Sequence, residues 1–103
     1  MNELKMSDEK IVIDVEKLFP EAARRVEILN DLKKSWKNIV GHLAMFSCPY
    51  NLGVDEISIY AKNKNARNIL FNMRGNITKI LQSRYNYKIN ENFKVNIFEG
   101  RKN

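Results

Sequence analysis

The chain has 103 residues, 44% of them apolar and 29% charged, and a formal net charge of +6. That length suits one small domain with one core and excludes two, and the composition is that of a globular domain, not a disordered tail. One Cys excludes an intramolecular disulfide, and one Cys with one His leaves no all-protein zinc site.

No apolar run approaches the roughly 20 residues needed to span a bilayer, and residues 1–10 contain no apolar signal-peptide core. A cytoplasmic protein without a membrane partner is expected. The charge is unevenly divided. Three Lys against five acids leave −2 in residues 1–20, and five of each sign cancel in 21–61. Ten Lys or Arg against Glu91 and Glu99 leave +8 in 62–103. Positive charge at that density attracts polyanions at a salt-dependent strength, and it also makes an ordinary solvated face.

Taken in chain order, residues 7–19 open with Ser7 as an N-cap and with Asp8 and Glu9 at the positive end of the helix dipole. Ile11, Val12, Val15, Leu18 and Phe19 recur with helical spacing, so a short helix is expected despite a β-branched run. Pro20 ends it and suits the first turn of a second helix. Val26, Leu29, Leu32, Trp36, Ile39, Val40, Leu43 and Phe46 then form one continuous apolar stripe. Gly41 interrupts this helix, which predicts close approach of another element. Pro49 ends it and fits an edge strand at 48–52.

Residues 51–56 supply turn chemistry, and 57–61 alternate in polarity, so a β-hairpin is expected with Ile57, Ile59 and Ala61 inward. A last helical pattern buries Ala66, Ile69, Leu70, Met73, Ile77, Ile80, Leu81 and Tyr85, with Gly75 placed to divide it. From 62 to 89 there is no acidic residue, which forgoes the usual stabilisation by opposite charges four residues apart. Residues 93–98 form a final strand with Phe93, Val95 and Ile97 inward, and 99–103 a frayed end.

The fold class expected is therefore α+β, a three-stranded sheet with helices packed on one face, in the order α-α-β-β-α-β. The other sheet face would carry Ser58, Tyr60, Lys94 and Phe98. That mixture suits base stacking and equally suits an ordinary exposed sheet face.

Trp36-x-x-Ile39-Val40-Gly41-x-Leu43-Ala44, then Ser47-x-Pro49-x-x-Leu52 and Ile57-x-Ile59, then Leu70 and Val95-x-Ile97, are arranged in a way that resembles the DciA family. Members of that family recruit or load the bacterial replicative DNA helicase. The resemblance spans residues 20–98 and implies a KH-like domain there, preceded by an acidic segment at 1–19. It also implies DNA binding and the replicative DNA helicase as a partner. Trp36, Val40, Gly41 and Pro49 would be the structural residues of the motif, holding the helix–hairpin junction. KH domains grip a nucleic-acid backbone with a GxxG loop between two helices; Gly75-Asn76-Ile77-Thr78 falls at that place, with Thr78 where the second Gly would stand.

No catalytic constellation is present. Cys48 falls on the apolar side of its predicted strand, where packing is the expected role. His42 has nothing at metal-ligand spacing, and Asp55 and Glu56 are adjacent turn residues that point apart. No phosphate-cradling Gly-rich loop is found, which excludes an ATPase. The reading is a non-enzymatic protein without cofactor or small-molecule substrate, contacting single-stranded or structured DNA. Lys62, Lys64, Arg67, Arg74, Lys79, Arg84, Lys88 and Lys94 would serve mainly as phosphate contacts. The alternatives are a protein-interaction module with no nucleic-acid role and an RNA-binding KH variant.

Overall fold

The computed structural model describes residues 20–100; the helix expected over 7–19 lies outside them. Pro20 opens helix α1 (Pro20–Val40), with Glu21 in the first turn and Lys37 in the last, each complementing the helix dipole. Its buried side chains are Ile28, Leu32, Ser35, Trp36 and Val40, one narrow line along the helix. Val26, expected on that line, is 58% exposed, because it lies roughly 200° around the helix from Ile28.

The α-helix stops six residues short of the predicted stripe. Gly41 adopts φ +66°, a left-handed conformation, and residues Gly41–Phe46 continue as a 3₁₀ segment. A Cβ at Gly41 would meet nothing within 4 Å. Its role is therefore conformational, and the close approach predicted for it is absent. Trp36 ties this junction together: its Nε1 donates to Ser47 Oγ (2.9 Å), and that hydroxyl donates to Leu43 O (2.7 Å). Helix, 3₁₀ segment and first strand are thereby joined through one buried serine.

Strands β1 (Ser47–Leu52) and β2 (Glu56–Ala61) form the expected hairpin. Pro49 sits in the edge strand β1 with its side chain fully buried, a position that tolerates the missing N–H. A bulge between Pro49 and Asn51 leaves Tyr50 without a partner and returns both Pro49 and Leu52 to the core side. This alternation turns Cys48 outward and exposes it, so the packing role predicted for it does not hold.

The chain next forms α2 (Lys64–Asn72) and α3 (Arg74–Tyr85), then β3 (Lys94–Glu99), which pairs parallel to β2. Asn63 caps α2 by accepting the Ala66 N–H (2.8 Å). The predicted divide falls at Met73 (φ −96°, ψ 8°), and Gly75 lies inside α3. Asn86, left-handed at φ 54°, ends α3, a conformation that Asn tolerates better than most residues. β3 begins one residue later than predicted and includes Glu99, the first residue of the expected frayed end, of which 101–103 lie outside the described residues.

The result is an α+β fold with a mixed three-stranded sheet in the order β1-β2-β3. One core joins Leu32 and Trp36 of α1 to Ile57, Ile59 and Ala61 of β2, and to Leu70, Ile77 and Leu81 of α2 and α3. Ile69, expected in this core, is exposed. Phe93, Val95 and Ile97 pack against it while half-buried, since β3 is an edge strand. No helix among the described residues is long and apolar enough to cross a membrane.

Candidate nucleic-acid interface

The eight basic residues singled out by the sequence are all exposed, and they fall into three places. Lys62 and Lys64 flank the start of α2. The Lys62 backbone N–H donates to Phe46 O (2.7 Å), which fixes the chain where β2 ends. Arg67, one turn into α2, reaches the β3 edge, where its Nε donates to Ile97 O at 3.4 Å.

Arg74 is the first residue of α3. Its Nε donates to Phe71 O (2.7 Å), and its guanidinium carbon stands 3.5 Å from the centre of the Phe71 ring. Stacked on the ring and tied to a carbonyl, the guanidinium is oriented without being neutralised. Arg74 and Lys94 line one cavity of about 400 Å³, together with Gly75, Thr78, Phe93, Val95 and Asn96. Neither α2 nor α3 has an acid in its first turn. A cation at the start of α3 adds to the positive end of the helix dipole. Gly75 and Thr78 both lie within α3, where Thr78 Oγ1 donates to Gly75 O (3.0 Å). The segment expected to form a GxxG-type loop is thus helical.

Lys79 and Arg84 lie further along α3, and the Arg84 guanidinium is 5.6 Å from the Tyr85 ring centre. Lys88 is separated from this set. It lines a second cavity, of about 460 Å³, with Glu21, Arg24, Arg25, Val54, Asp55, Asn86, Tyr87 and Asn90. In the sequence, Arg24 and Arg25 belong to the polar face of a helix far from Lys88. Only the fold of the loop after α3 brings Lys88 to them.

That second cavity is held by local polar contacts. Tyr87 donates to Gly53 O (2.7 Å), and Asn90 Nδ2 to Asp55 Oδ1 (3.1 Å). Burial raises the Tyr87 phenol above its ordinary value, an effect that Arg25 and Arg24 oppose. Burial raises Tyr85 as well, and the hydrogen bond it donates to Asp31 (2.5 Å) adds to the rise. Arg24 donates to the Tyr85 carbonyl, so α1 and the end of α3 are latched at two points. Glu21 and Asp55 make this cavity mixed in charge, whereas the side chains lining the Arg74–Lys94 cavity include no acid.

The open face of the sheet differs from its expected form in two ways. Ser58 is only 5% exposed. Tyr50, delivered by the bulge in β1, joins Tyr60 and Phe98 there, with its ring centre 6.4 Å from that of Phe98. Period-two reading of the strand could not place Tyr50, because a bulge breaks that period. No protein-family model, curated protein or solved structure matches this chain.

Proposed function

We propose that this chain is a non-enzymatic, DNA-binding accessory protein built on a KH-like domain, which acts in the cytoplasm by recruiting or loading the replicative DNA helicase. The helicase part rests on the resemblance of the Trp36 to Leu52 motif to the DciA family. The DNA part rests on one observation: the cationic surface of α2 and α3, acid-free in sequence from 62 to 89, meets β3 where Arg74 and Lys94 line one cavity that no acidic side chain lines. Arg67, Arg74 and Lys94 would hold phosphates there, with Lys62, Lys64, Lys79 and Arg84 extending the field.

The test is fluorescence anisotropy with a labelled single strand over a range of salt. Replacing Arg67, Arg74 and Lys94 by Ala should weaken binding and flatten the salt slope by about 0.7 for each phosphate no longer neutralised. Absence of DNA binding at low salt, or binding that ignores the three changes, sinks the DNA reading. Capture of the replicative helicase from nuclease-treated extract without any DNA affinity would favour a protein-interaction module. Stronger competition by RNA than by DNA would favour an RNA-binding variant.

A further inference from the structure

Three aromatic rings lie on the side of the sheet that the helices do not cover. Tyr50 is 48% exposed, Tyr60 41% and Phe98 50%. They come from three different strands, and Tyr60 and Phe98 are direct partners in the β2–β3 register. Between them, Ser58 pairs with Asn51 on one side and Asn96 on the other, a polar row across the sheet. The core makes no use of these rings. Exposed apolar groups clustered on a charged surface mark a contact site.

We infer that this open face is a stacking platform for a single-stranded nucleic acid whose phosphates run along the β3 edge, an assignment that rests on the DNA reading above. Charge complementarity selects the occupant. The β3 edge is bordered by Arg67 at Ile97 and by Arg74 at the cavity it shares with Lys94. Its two acids are Glu56, the register partner of Lys94, which accepts the Asn96 amide (2.8 Å), and Glu99 at the end of the strand. Parallel pairing brings the ends of β2 and β3 together, and the Gly100 N–H donates to Ala61 O (2.7 Å). The chain therefore leaves the aromatic end through Lys62 after β2.

Geometry sets the size of the ligand. Lys94 and Phe98 are four residues apart on one strand, about 13 Å at the usual rise, which is room for about two or three stacked bases. A duplex buries its base faces against one another and cannot offer them to these rings, so the platform discriminates single strands. Gly100 helps to fix the platform, since a Cβ there would overlap the Tyr60 ring.

The only cysteine reports on this face directly. Cys48 is exposed and is the register partner of Tyr60. Alkylation of Cys48 by a maleimide is timed in the wild-type chain, alone and with saturating oligothymidine or a duplex of equal length. The single strand should slow alkylation severalfold and the duplex should leave it unchanged. In parallel, Tyr50→Ala with Phe98→Ala should weaken single-strand binding by at least about tenfold without changing the salt slope or duplex binding. Single-strand binding with unprotected Cys48, or an undiminished double variant, overturns the platform and leaves the basic surface as the whole site. Equal protection by duplex overturns it too. Absence of any binding removes the DNA reading itself. Should the double variant not fold, the wild-type alkylation rates decide alone.

Discussion

The outward faces of α1 and of the α2–α3 pair are built from similar residues and put to different uses. α1 mixes signs, with Arg24, Glu27, Asp31, Lys33, Lys34 and Lys37 on its exposed side. Two of these hold the fold, since Asp31 accepts the Tyr85 hydroxyl and Arg24 donates to the Tyr85 carbonyl. On α2 and α3 the charged residues are all cations, and their arginines contact carbonyls and rings: Ile97 O, Phe71 O and the rings of Phe71 and Tyr85. Such contacts aim a guanidinium and leave its charge intact. Opposite charges four residues apart would stabilise these helices by about 0.2–0.5 kcal/mol per pair. The fold forgoes that gain along two successive helices, and the proposed DNA contact would offset it.

The largest expected effect comes from the inward side of α1. Trp36→Ala removes a buried ring and leaves Ser47 Oγ without its donor, and should cost about 3–5 kcal/mol of stability, read as a fall in the urea midpoint. Next comes the outward side of the second pair. The Arg67, Arg74 and Lys94 triple Ala variant should lose on the order of 10- to 100-fold in single-strand affinity at low salt. Its stability should change by no more than about 0.5 kcal/mol per site. The matched control, Lys33, Lys34 and Lys37 to Ala on α1, removes the same charge and should leave affinity within about threefold, the small effect of charge outside the contact surface. Equal losses in the two triples would show that net charge alone governs binding and would erase the contrast between the helices.

Much of this arrangement is legible in the residues. The period change after Phe46 locates the hairpin, and the lack of acids from 62 to 89 locates the cationic surface. Asn63 and Pro20 mark helix starts through chemistry that acts locally. What escapes the sequence depends on the third dimension or on one backbone angle. Ile28 and Val26 are both aliphatic, and only the phase of α1 against the sheet decides which is buried. Cys48 and Tyr50 defeat a period-two reading because a bulge alters which side chains share a face. The pairing of Arg74 with Lys94 at one cavity, and of Lys88 with Arg24 and Arg25 at another, follows from the crossover that returns β3 beside β2. No spacing in the sequence encodes that.

Two glycines sharpen the contrast on the backbone itself. Gly41 is left-handed where α1 ends, so Gly41→Ala should destabilise by about 1–2 kcal/mol. Gly75 lies within α3, with open space where a Cβ would project, so Gly75→Ala should be tolerated and should stabilise by about 0.4–1 kcal/mol. Thermal melts of the two variants should therefore move in opposite directions. If both fall, the space at Gly75 is needed, and the cavity of Arg74 and Lys94 is the place to look for the reason.

An effect of similarly small size tests the latch between α1 and α3. Burial, and then the bond to Asp31, raise the Tyr85 phenol above its ordinary value of about 10. A raised folded value means that the folded state holds this proton more tightly than the unfolded state. The stabilisation is then complete below about pH 10 and fades as pH rises from there towards the folded value. Tyr85→Phe deletes the titrating group and the bond together. It should lower stability at neutral pH by about 0.5–1 kcal/mol, and the gap to the wild-type chain should narrow as pH passes 10. Comparing wild type and variant at each pH cancels the titration of lysines, which both chains share. A gap that stays constant to high pH would mean that the phenol titrates alike folded and unfolded, and no gap at any pH would mean that Arg24 alone latches α1 to the end of α3.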